Sequence, residues 1–360
     1  MMHPFTAQLS LASACRTGLF GPVFHFFLSS LLLTGLESRA QNRIKNPVDS
    51  AYVQTFPRLL TGRVFLSQKY TAYVLSTPVA SAPSLRFRPN SSLDLGVGAT
   101  FKALTLNLAH GLSFLNRDNG RGKTRDIDLQ THVYLRKWVL DGFAQFYKGY
   151  YLLPRGQAAP DPGQYYVRPD LGVYLLGGSV RRVFNSRRFS FRASLIQNEW
   201  QKRSAGTWLA GFQLYYGIVR GDSALVPGRL QTDFPTEKVQ RMRLLKGGPG
   251  GGYAYTFVYR KHWFATGSLT ANLNATFSKE AFGTGRLAYS NVRPDLLFRA
   301  VAGYNSNQWC VTLGWVNGSV SVISPLYQHV IHTGNYRFTV ARRFKTNRQL
   351  QKLVPDTIKI

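Results

Sequence analysis

One histidine in this sequence has the neighbours that acid–base chemistry requires. Asp126, Asp128, Gln130 and His132 occupy every second position of one run. In an extended chain these side chains lie on a single face. A histidine beside a carboxylate is part of the Ser–His–Asp arrangement of hydrolases. A strand whose polar face is filled with ordinary residues explains the same run, and we prefer that structural interpretation.

Other features that could hold a cofactor or a metal lack the required context. The glycines at 247, 248 and 250–252 have neither the lysine nor the strand-to-helix setting of a phosphate-binding loop. The chain has two cysteines, Cys15 and Cys310, and no Cys/His cluster has the spacing of a zinc site. We therefore expect no metal, no cofactor and no catalytic residue.

The elements that must position these residues are strands, and the clearest runs from Trp263 to Phe277. Its odd-numbered positions are apolar or small and include Leu269 and Leu273. Its even-numbered positions from 266 to 276 carry hydroxyl or amide groups. Because strand side chains alternate between two faces, this segment has one apolar face and one polar face.

A strand of this kind separates an oily phase from a wet one. Transmembrane β-strands need roughly 9–11 residues and carry an outward apolar band between aromatic girdles. No stretch after residue 40 has the about 20 apolar residues of a transmembrane helix. Unpaired backbone groups in lipid are so costly that strands crossing a membrane must close into a barrel. The sequence therefore predicts an all-β, transmembrane, antiparallel up-and-down β-barrel.

The N-terminal region has the layout of a secretory signal peptide. An apolar run at 20–35 is followed by Ser38 and Ala40, small residues that fit a cleavage site. Export and a barrel together predict the bacterial outer membrane as the location. The predicted organisation is a signal peptide at 1–40, a periplasmic lead-in at 41–60, the barrel at 61–345 and a periplasmic tail at 346–360.

Strand patterns recur along the chain, and short turns alternate with longer loops, as in outer-membrane barrels. Such barrels need an even number of strands, so we add a crossing at Val239–Leu245 to thirteen clearer segments, which gives about fourteen. If Val239–Leu245 is instead a loop and Val64–Val74 lies outside the barrel, the number of strands is twelve. Residues 278–292 are interpreted as a loop. The thirteen segments are 64–74, 93–101, 104–114, 127–135, 139–152, 171–183, 189–198, 207–219, 253–260, 263–277, 296–304, 309–317 and 336–344.

Three segments carry a family resemblance. They are Q-N-E-W-Q-K-R-S-A-G at 197–206, G-Y-A-Y-T-F-V-Y-R-K-H-W-F at 252–264, and the series from F-R-P-N to L-T-L-N-L at 87–108. The chain after residue 40 resembles an uncharacterised family of Bacteroidota outer-membrane β-barrel proteins, a domain of unknown function. The resemblance implies an outer-membrane barrel and brings no activity with it. Such barrels usually end on an aromatic residue, whereas Phe344 is followed here by a further segment.

The polar strand faces predict which charged residues line the lumen. Basic side chains outnumber acids on these faces, and basic rings favour anions in pores. An open lumen would make the protein a narrow, anion-preferring channel, whereas Arg–Asp pairs and tyrosines that close it would make it a structural or docking barrel. An outer-membrane lipid hydrolase or acyltransferase is the alternative of another class. The predicted lining residues are Asp126, Asp128, His132, Arg192, Arg299, Arg337 and Arg343.

The charge balance points to anionic lipid as the partner. The chain has 45 Lys+Arg against 16 Asp+Glu, a formal net charge of +29. A strongly basic chain could also bind nucleic acid, but a barrel exported to the outer membrane does not encounter nucleic acid. Basic residues cluster at the short turns near 136–137, 181–188, 260–261 and 342–345. Each contributes about 1 kcal/mol near an anionic lipid surface, or merely forms a solvated rim. We expect membrane lipids with anionic headgroups and the barrel-assembly machinery as partners.

Overall fold

The computed structural model describes residues 48–77, 84–102, 104–112 and 120–346. The predicted signal peptide and all but the first residue of the predicted C-terminal tail lie outside these ranges. The described residues form long antiparallel strands, together with a short α-helix, α1 (Phe191–Leu195), and a 3-10 helix (Gly228–Asp233). No helix in this part of the chain is long and apolar enough to cross a membrane.

The strands are numbered in chain order. They are β1 (Val53–Thr55), β2 (Leu59–Ser76), β3 (Leu85–Arg88), β4 (Asp94–Phe101), β5 (Leu104–Gly111), β6 (Arg125–Tyr134), β7 (Trp138–Leu153), β8 (Val167–Val183), β9 (Glu199–Gln201), β10 (Ala205–Arg220), β11 (Arg241–Tyr259), β12 (Trp263–Phe282), β13 (Gly285–Asn305), β14 (Trp309–Ile323) and β15 (Gln328–Lys345).

Ten of these strands close into a ring. The order is β2–β3–β7–β8–β10–β11–β12–β13–β14–β15. The ring closes because β15 pairs with β2 along its whole length, from Gln328 opposite Ser76 to Lys345 opposite Leu59. The prediction of an all-β antiparallel barrel is therefore confirmed.

The predicted strand count is wrong for this ring, both as about fourteen and as twelve. Three further strands are hydrogen-bonded to the ring but lie outside it: β4 pairs with β2, β5 with β4, and β6 with β7. The short β3 pairs directly with β7, where Phe87 lies opposite Leu152. Periodicity identifies a strand without identifying its neighbours, and β4 to β6 alternate as regularly as ring strands do.

Two predicted crossings are not separate strands. Residues 189–198, predicted as a strand, contain α1, whose first turn is capped by the Ser190 hydroxyl accepting from the Ala193 amide at 3.2 Å. An N-cap serine satisfies a backbone donor that a helix start leaves unpaired. The segment 239–245 is instead the beginning of β11, which continues to Tyr259.

The glycines inside β11 explain how that strand continues. A Cβ on Gly248 would lie 1.9 Å from the Leu273 carbonyl oxygen, and one on Gly252 would lie 2.1 Å from that of Leu269. Neighbouring backbone thus approaches β11 more closely than any other residue would allow. The glycine run is therefore a place of tight strand packing.

The faces of β12 follow the predicted alternation. Leu269 and Phe277 point outward and are 52% and 60% exposed, whereas Thr270 and Asn272 point inward and are buried. The alternation continues to Glu280 and the strand to Phe282, and β13 begins at Gly285. The predicted loop at 278–292 is therefore wrong. Charged side chains replace apolar ones there, so the hydrophobicity signal is lost while the strand goes on.

Candidate functional site

The lumen is the candidate site, and two charged residues cross it. Asp141 on β7 and Arg299 on β13 belong to strands that are five places apart in the ring of ten, so they lie on opposite walls. An Arg299 guanidinium nitrogen is 2.5 Å from Asp141 Oδ2, and Arg181 on β8 approaches the same oxygen at 3.1 Å. Buried charges need such partners. These ion pairs join the walls through the middle of the lumen.

A second polar network links the inner faces of β10 to β14. Lys246 is fully buried; its Nζ is 2.7 Å from Asp295 and donates to the Ser321 carbonyl at 2.6 Å. Asn274 donates to Asp295 at 3.2 Å and accepts from Gln213 at 3.1 Å. Each of these side chains forms hydrogen bonds with a neighbour inside the barrel. These bonds hold the side chains in fixed positions.

The two ends of the barrel differ, and we name them by the chain. The terminal end is where β2 begins and β15 ends; the loop end is the opposite one. Towards the loop end the lumen is filled by inward-facing apolar side chains, among them Tyr73, Phe87, Tyr147 and Leu152, which are buried. Apolar residues of the β10–β11 connection pack into the same core: Leu225, Val226, Phe234 and Val239.

A buried histidine pair lies within this end. His329 on β15 places Nε2 at 2.8 Å from Glu280 Oε1 on β12 and Nδ1 at 2.7 Å from the Tyr73 hydroxyl. Ser324 donates to the same Glu280 oxygen at 2.7 Å. The four side chains are buried, so this cluster ties β2, β12 and β15 together across the interior.

Tyr327, in the turn between β14 and β15, fastens the β10–β11 connection over the loop end. Its hydroxyl donates to the Glu237 carbonyl at 2.9 Å. Burial raises the pKa of the Tyr327 phenol to about 12, so the phenol keeps its proton at neutral pH. The connection thereby covers the apolar core.

The terminal end is closed by residues 189–201, which we call the plug. Arg343 on β15 donates to the Gln197 carbonyl at 2.6 Å, and Arg63 on β2 donates to the Ile196 carbonyl at 2.8 Å. Both arginines are buried. Charge-assisted hydrogen bonds of this kind are among the stronger ones in proteins, so the plug is held by the walls around it.

The plug also carries its own acid. Glu199 is buried, with Arg136 at 2.6 Å and Arg192 at 3.4 Å, and Ser190 donates to it at 2.5 Å. The strand β9, to which Glu199 belongs, pairs with β1 near the start of the described chain. The segment before the barrel, predicted as a lead-in without regular structure, thus contributes a short strand against the plug.

Little free volume remains between these layers. A cavity beside Arg181 and Arg299, lined also by Ser268 and Thr270, has a volume of about 10 Å³. That is about the space that one water molecule needs. At this level of the lumen the inner face of the ring therefore packs closely against Phe191 of the plug.

The histidine is not directly bonded to either of the acids predicted on its face; only Gln130 links it to Asp128. His132 Nδ1 is 2.8 Å from Asp141, the residue opposite it on β7. Asp128 accepts from the Tyr147 hydroxyl at 2.8 Å and has Lys69 at 3.7 Å. Asp126 is exposed on β6. The histidine thus has a carboxylate partner other than the predicted ones.

The four predicted lining arginines have different surroundings. Arg299 is in the ion pair with Asp141, and Arg343 holds the plug. Arg192 belongs to α1 rather than to a wall strand and donates to the Lys102 carbonyl at 2.9 Å. Arg337 lies over the Phe65 ring, 3.8 Å from its centroid. Each guanidinium has a partner inside the protein.

Several residues that close the lumen were missed by sequence reasoning. Asp141, Arg181, Lys246, Asp295 and Glu280 lie at inward strand positions and are paired with charged or polar partners. They could have been recognised in the sequence as ionisable residues at inward-facing positions of strands rich in aromatic residues or glycine. Within the described ranges, no group of three or more His, Cys, Asp or Glu side chains is arranged to hold a metal.

The chemistry available to the two histidine pairs is limited. Ser324 donates to Glu280 and not to His329, and His132 bonds to Asp141 and Gln130. A Ser–His–Asp mechanism requires a serine whose hydroxyl meets the histidine while the carboxylate holds the other ring nitrogen. No serine in the described part of the chain takes that position.

Comparison with known proteins gives a family match and distant structural similarities. The family model described as Domain of unknown function (DUF4421) matches residues 47–344. Curated protein sequences give no match. Among solved structures, the chain is similar to the outer membrane protease OmpT from Escherichia coli, with 9% identity, a TM-score of 0.39, and coverage of 81% of this chain and 98% of that one.

Two further similarities are of the same kind. The translocator domain of autotransporter NalP from Neisseria meningitidis has 9% identity and a TM-score of 0.31, covering 90% of this chain and 97% of that one. The P. putida toluene transporter TodX has 8% identity and a TM-score of 0.24, covering 84% and 94%. The family description names no activity, so the function must be argued from the geometry of this chain.

Proposed function

Since the chain belongs to the family described as Domain of unknown function (DUF4421), we propose that it is an integral outer-membrane β-barrel with a closed lumen, which acts as a structural or docking element. The resemblance of its 197–206 and 252–264 segments supports a Bacteroidota source. We further propose that it has no lipid-hydrolase or acyltransferase activity. The outer surface and the lumen both support these proposals.

The outer surface supports a membrane location. The apolar face of β12 between Trp263 and Phe277 spans about 33 Å at a strand tilt of ~45°, close to the ~30 Å hydrocarbon core of a bilayer. Exposed aromatic side chains gather towards the terminal end, as in the girdles of transmembrane barrels. They are Trp208, Tyr259, Trp263, Trp309 and Phe344, between 43% and 68% exposed.

The lumen supports the closed-barrel proposal, chiefly through one observation. The ion pair between Asp141 and Arg299 joins opposite walls of the ring. A hydrated ion needs a continuous water-filled path, and this pair divides the lumen between the plug at one end and the apolar core at the other. The arginines that would select anions are engaged by partners in the protein. A closed barrel explains this arrangement better than an anion-preferring channel does.

We orient the barrel by the rule that outer-membrane barrels have short periplasmic turns and longer external loops. The long connections 154–166 and 221–240 both lie at the loop end. The terminal end then faces the periplasm, where exposed Arg182, Arg260 and Arg342 form a basic collar. We propose anionic lipid headgroups of the inner leaflet as its partners, and the barrel-assembly machinery as the partner during insertion.

Conductance in planar bilayers tests the closed lumen. The full-length protein, inserted from neutral detergent, is expected to give no steady current under a voltage at which a general porin conducts. A steady anion-selective current would instead support the channel. Release of fatty acid from vesicles by the purified protein would overturn the proposed lack of lipid chemistry.

A further inference from the structure

Another charged surface lies on the outward face of the barrel, at the loop end of its apolar band. It consists of seven basic side chains on β6, β7, β10, β11, β12 and β13, which we call the basic belt. Six of them are exposed and Arg241 is half-buried. The belt comprises Arg125, Lys148, Arg220, Arg241, Arg243, Lys279 and Arg286.

Strand register sets these cations directly against one another. Arg125 lies opposite Lys148, Arg220 opposite Arg241, and Arg243 opposite Lys279. Residues opposite each other in an antiparallel pair share a face, with Cβ atoms about 4.5–5.5 Å apart, and like charges there are destabilising. The first pair lies on β6 and β7, and the other two are adjacent to each other on β10, β11 and β12 beyond the intervening β8.

The described residues supply no counter-charge to these pairs. None of the seven belt residues forms an ion pair with an acidic side chain of the described residues, whose ion pairs lie mainly inside the barrel. Glu280, which follows Lys279, points inward to His329. Among the described residues the repulsion within the belt is therefore not offset, and a bound anion would relieve it.

The position of the belt identifies the source of that anion. On four of these strands, the residue two positions closer to the middle of the strand is apolar and faces outward. These residues are Ile127, Ile218, Leu245 and Phe277. Arg220 also lies over the Tyr174 ring at 5.1 Å, an arrangement suited to the boundary between apolar and polar phases. A molecule on the belt would therefore have its apolar part against these residues and its charge beside the basic pairs.

We propose that the basic belt binds net anionic, phosphate-bearing lipid headgroups of the outward leaflet, each phosphate bridging an opposed basic pair while the acyl chains lie against the apolar residues below. This rests on the proposed membrane location. Phosphate oxygens accept charge-assisted hydrogen bonds from several cationic donors at once. The belt lies at the end of the band opposite the periplasmic collar, so the two surfaces serve different leaflets.

The test uses the full-length protein in neutral detergent at low salt, with its melting temperature measured by heat-modifiable gel migration. Diphosphorylated lipid A is added, and phosphatidylcholine or inorganic phosphate is added in parallel. Lipid A is expected to raise Tm by several degrees, while the other two leave it unchanged. The belt variant R220Q/R241Q/R243Q/K279Q is expected to lose this rise.

A matched variant, R182Q/R187Q/R260Q/R342Q, removes the same number of charges at the terminal end. It should keep the rise, because Arg182 and Arg342 lie opposite uncharged residues in the sheet and form no opposed basic pair that a phosphate could bridge. Without lipid, the belt variant should melt higher than the unsubstituted protein, because the repulsion is removed. If it does not fold, R243Q/K279Q alone is compared with R260Q/R342Q. The proposal would be overturned if the belt variant kept the full rise in Tm with lipid A, or if the matched terminal-end variant lost that rise equally. An equal rise with inorganic phosphate would also overturn it. Membrane fractionation of each variant separately tests the location.

Discussion

Asp141 and Arg299 face each other across the whole width of the barrel and meet in an ion pair. They come from β7 and β13, which no hydrogen bond of the sheet connects. Arg181 and His132 complete the surroundings of the same carboxylate. A contact between opposite walls braces the ring as well as closing it, so its removal should weaken the fold.

Replacing Arg299 by Met tests this bracing. Asp141 keeps Arg181, so the loss should stay at or below about 3 kcal/mol, the lower end of what breaking a buried ion pair costs. Urea unfolding in neutral detergent, followed by tryptophan fluorescence, measures it. Arg293→Met, at an exposed position of the same strand, should change stability by less than about 0.5 kcal/mol. Equal effects of the two changes would mean that the pair contributes nothing beyond a surface charge.

The outward apolar band predicts a depth-dependent effect of charge. Leu273→Arg places a cation on the outward face near the middle of the band and should cost about 2–4 kcal/mol, with reduced insertion into membranes. Ala281→Arg lies on the same face of β12 beyond the band, beside the basic belt, and should insert normally. The amount of heat-modifiable protein in the membrane fraction reports both, and equal insertion would show that the band is not in contact with lipid.

The cover of the loop end depends on a single hydroxyl. Tyr327→Phe removes the hydrogen bond to the Glu237 carbonyl, and about 1 kcal/mol of local stability should be lost. Hydrogen exchange should rise in 225–239 and stay unchanged in β12. Because the pKa of Tyr327 is raised to about 12 in the fold, its contribution is complete below pH ~10 and falls as pH rises towards 12. The Phe variant should lack that part of the alkaline response.

The parts of the fold that the sequence predicts are those with one lipid-like face and one polar face. On β12 the exposure of Leu269 and the burial of Thr270 follow directly from a period of two. The same period fails beyond Phe277, because Lys279 replaces an apolar outward residue while the backbone pairing with β11 and β13 continues. The end of a strand is therefore set by its backbone pairing with neighbouring strands, and the hydrophobic periodicity of one segment does not reveal that pairing.

The contacts of the candidate site were harder to predict from the sequence, for a related reason. His132 was grouped with Asp126 and Asp128, which share its strand, whereas its partner Asp141 comes from the neighbouring strand in register. Arg299 meets Asp141 from the far wall, a contact set by the closure of the ring and not by local sequence. The plug was also missed, since a buried five-residue helix has too few residues to show a helical period.

The closure of the lumen leads to a last prediction about its layers. The plug, the ion pairs around Asp141 and the apolar core at the loop end lie one after another, and an ion must pass all of them. Replacing residues 190–198 by a flexible Gly/Ser linker removes the first layer and leaves the other two. We therefore expect this variant, once inserted into planar bilayers, to remain without steady current.

The ion-pair layer can then be weakened in the same background by Arg181→Ser and Arg299→Ser. The apolar core still lies in the path, and its side chains, such as Tyr73 and Leu152, belong to the ring strands themselves. The combined variant should admit small thiol reagents from the terminal end to a cysteine introduced at Ser268, in a Cys310→Ser background, yet still carry no current. Labelling without current would mean that the core at the loop end is the final barrier. A steady current from the linker variant alone would mean that the inner layers do not close the path, and the closed-barrel function would be lost with them.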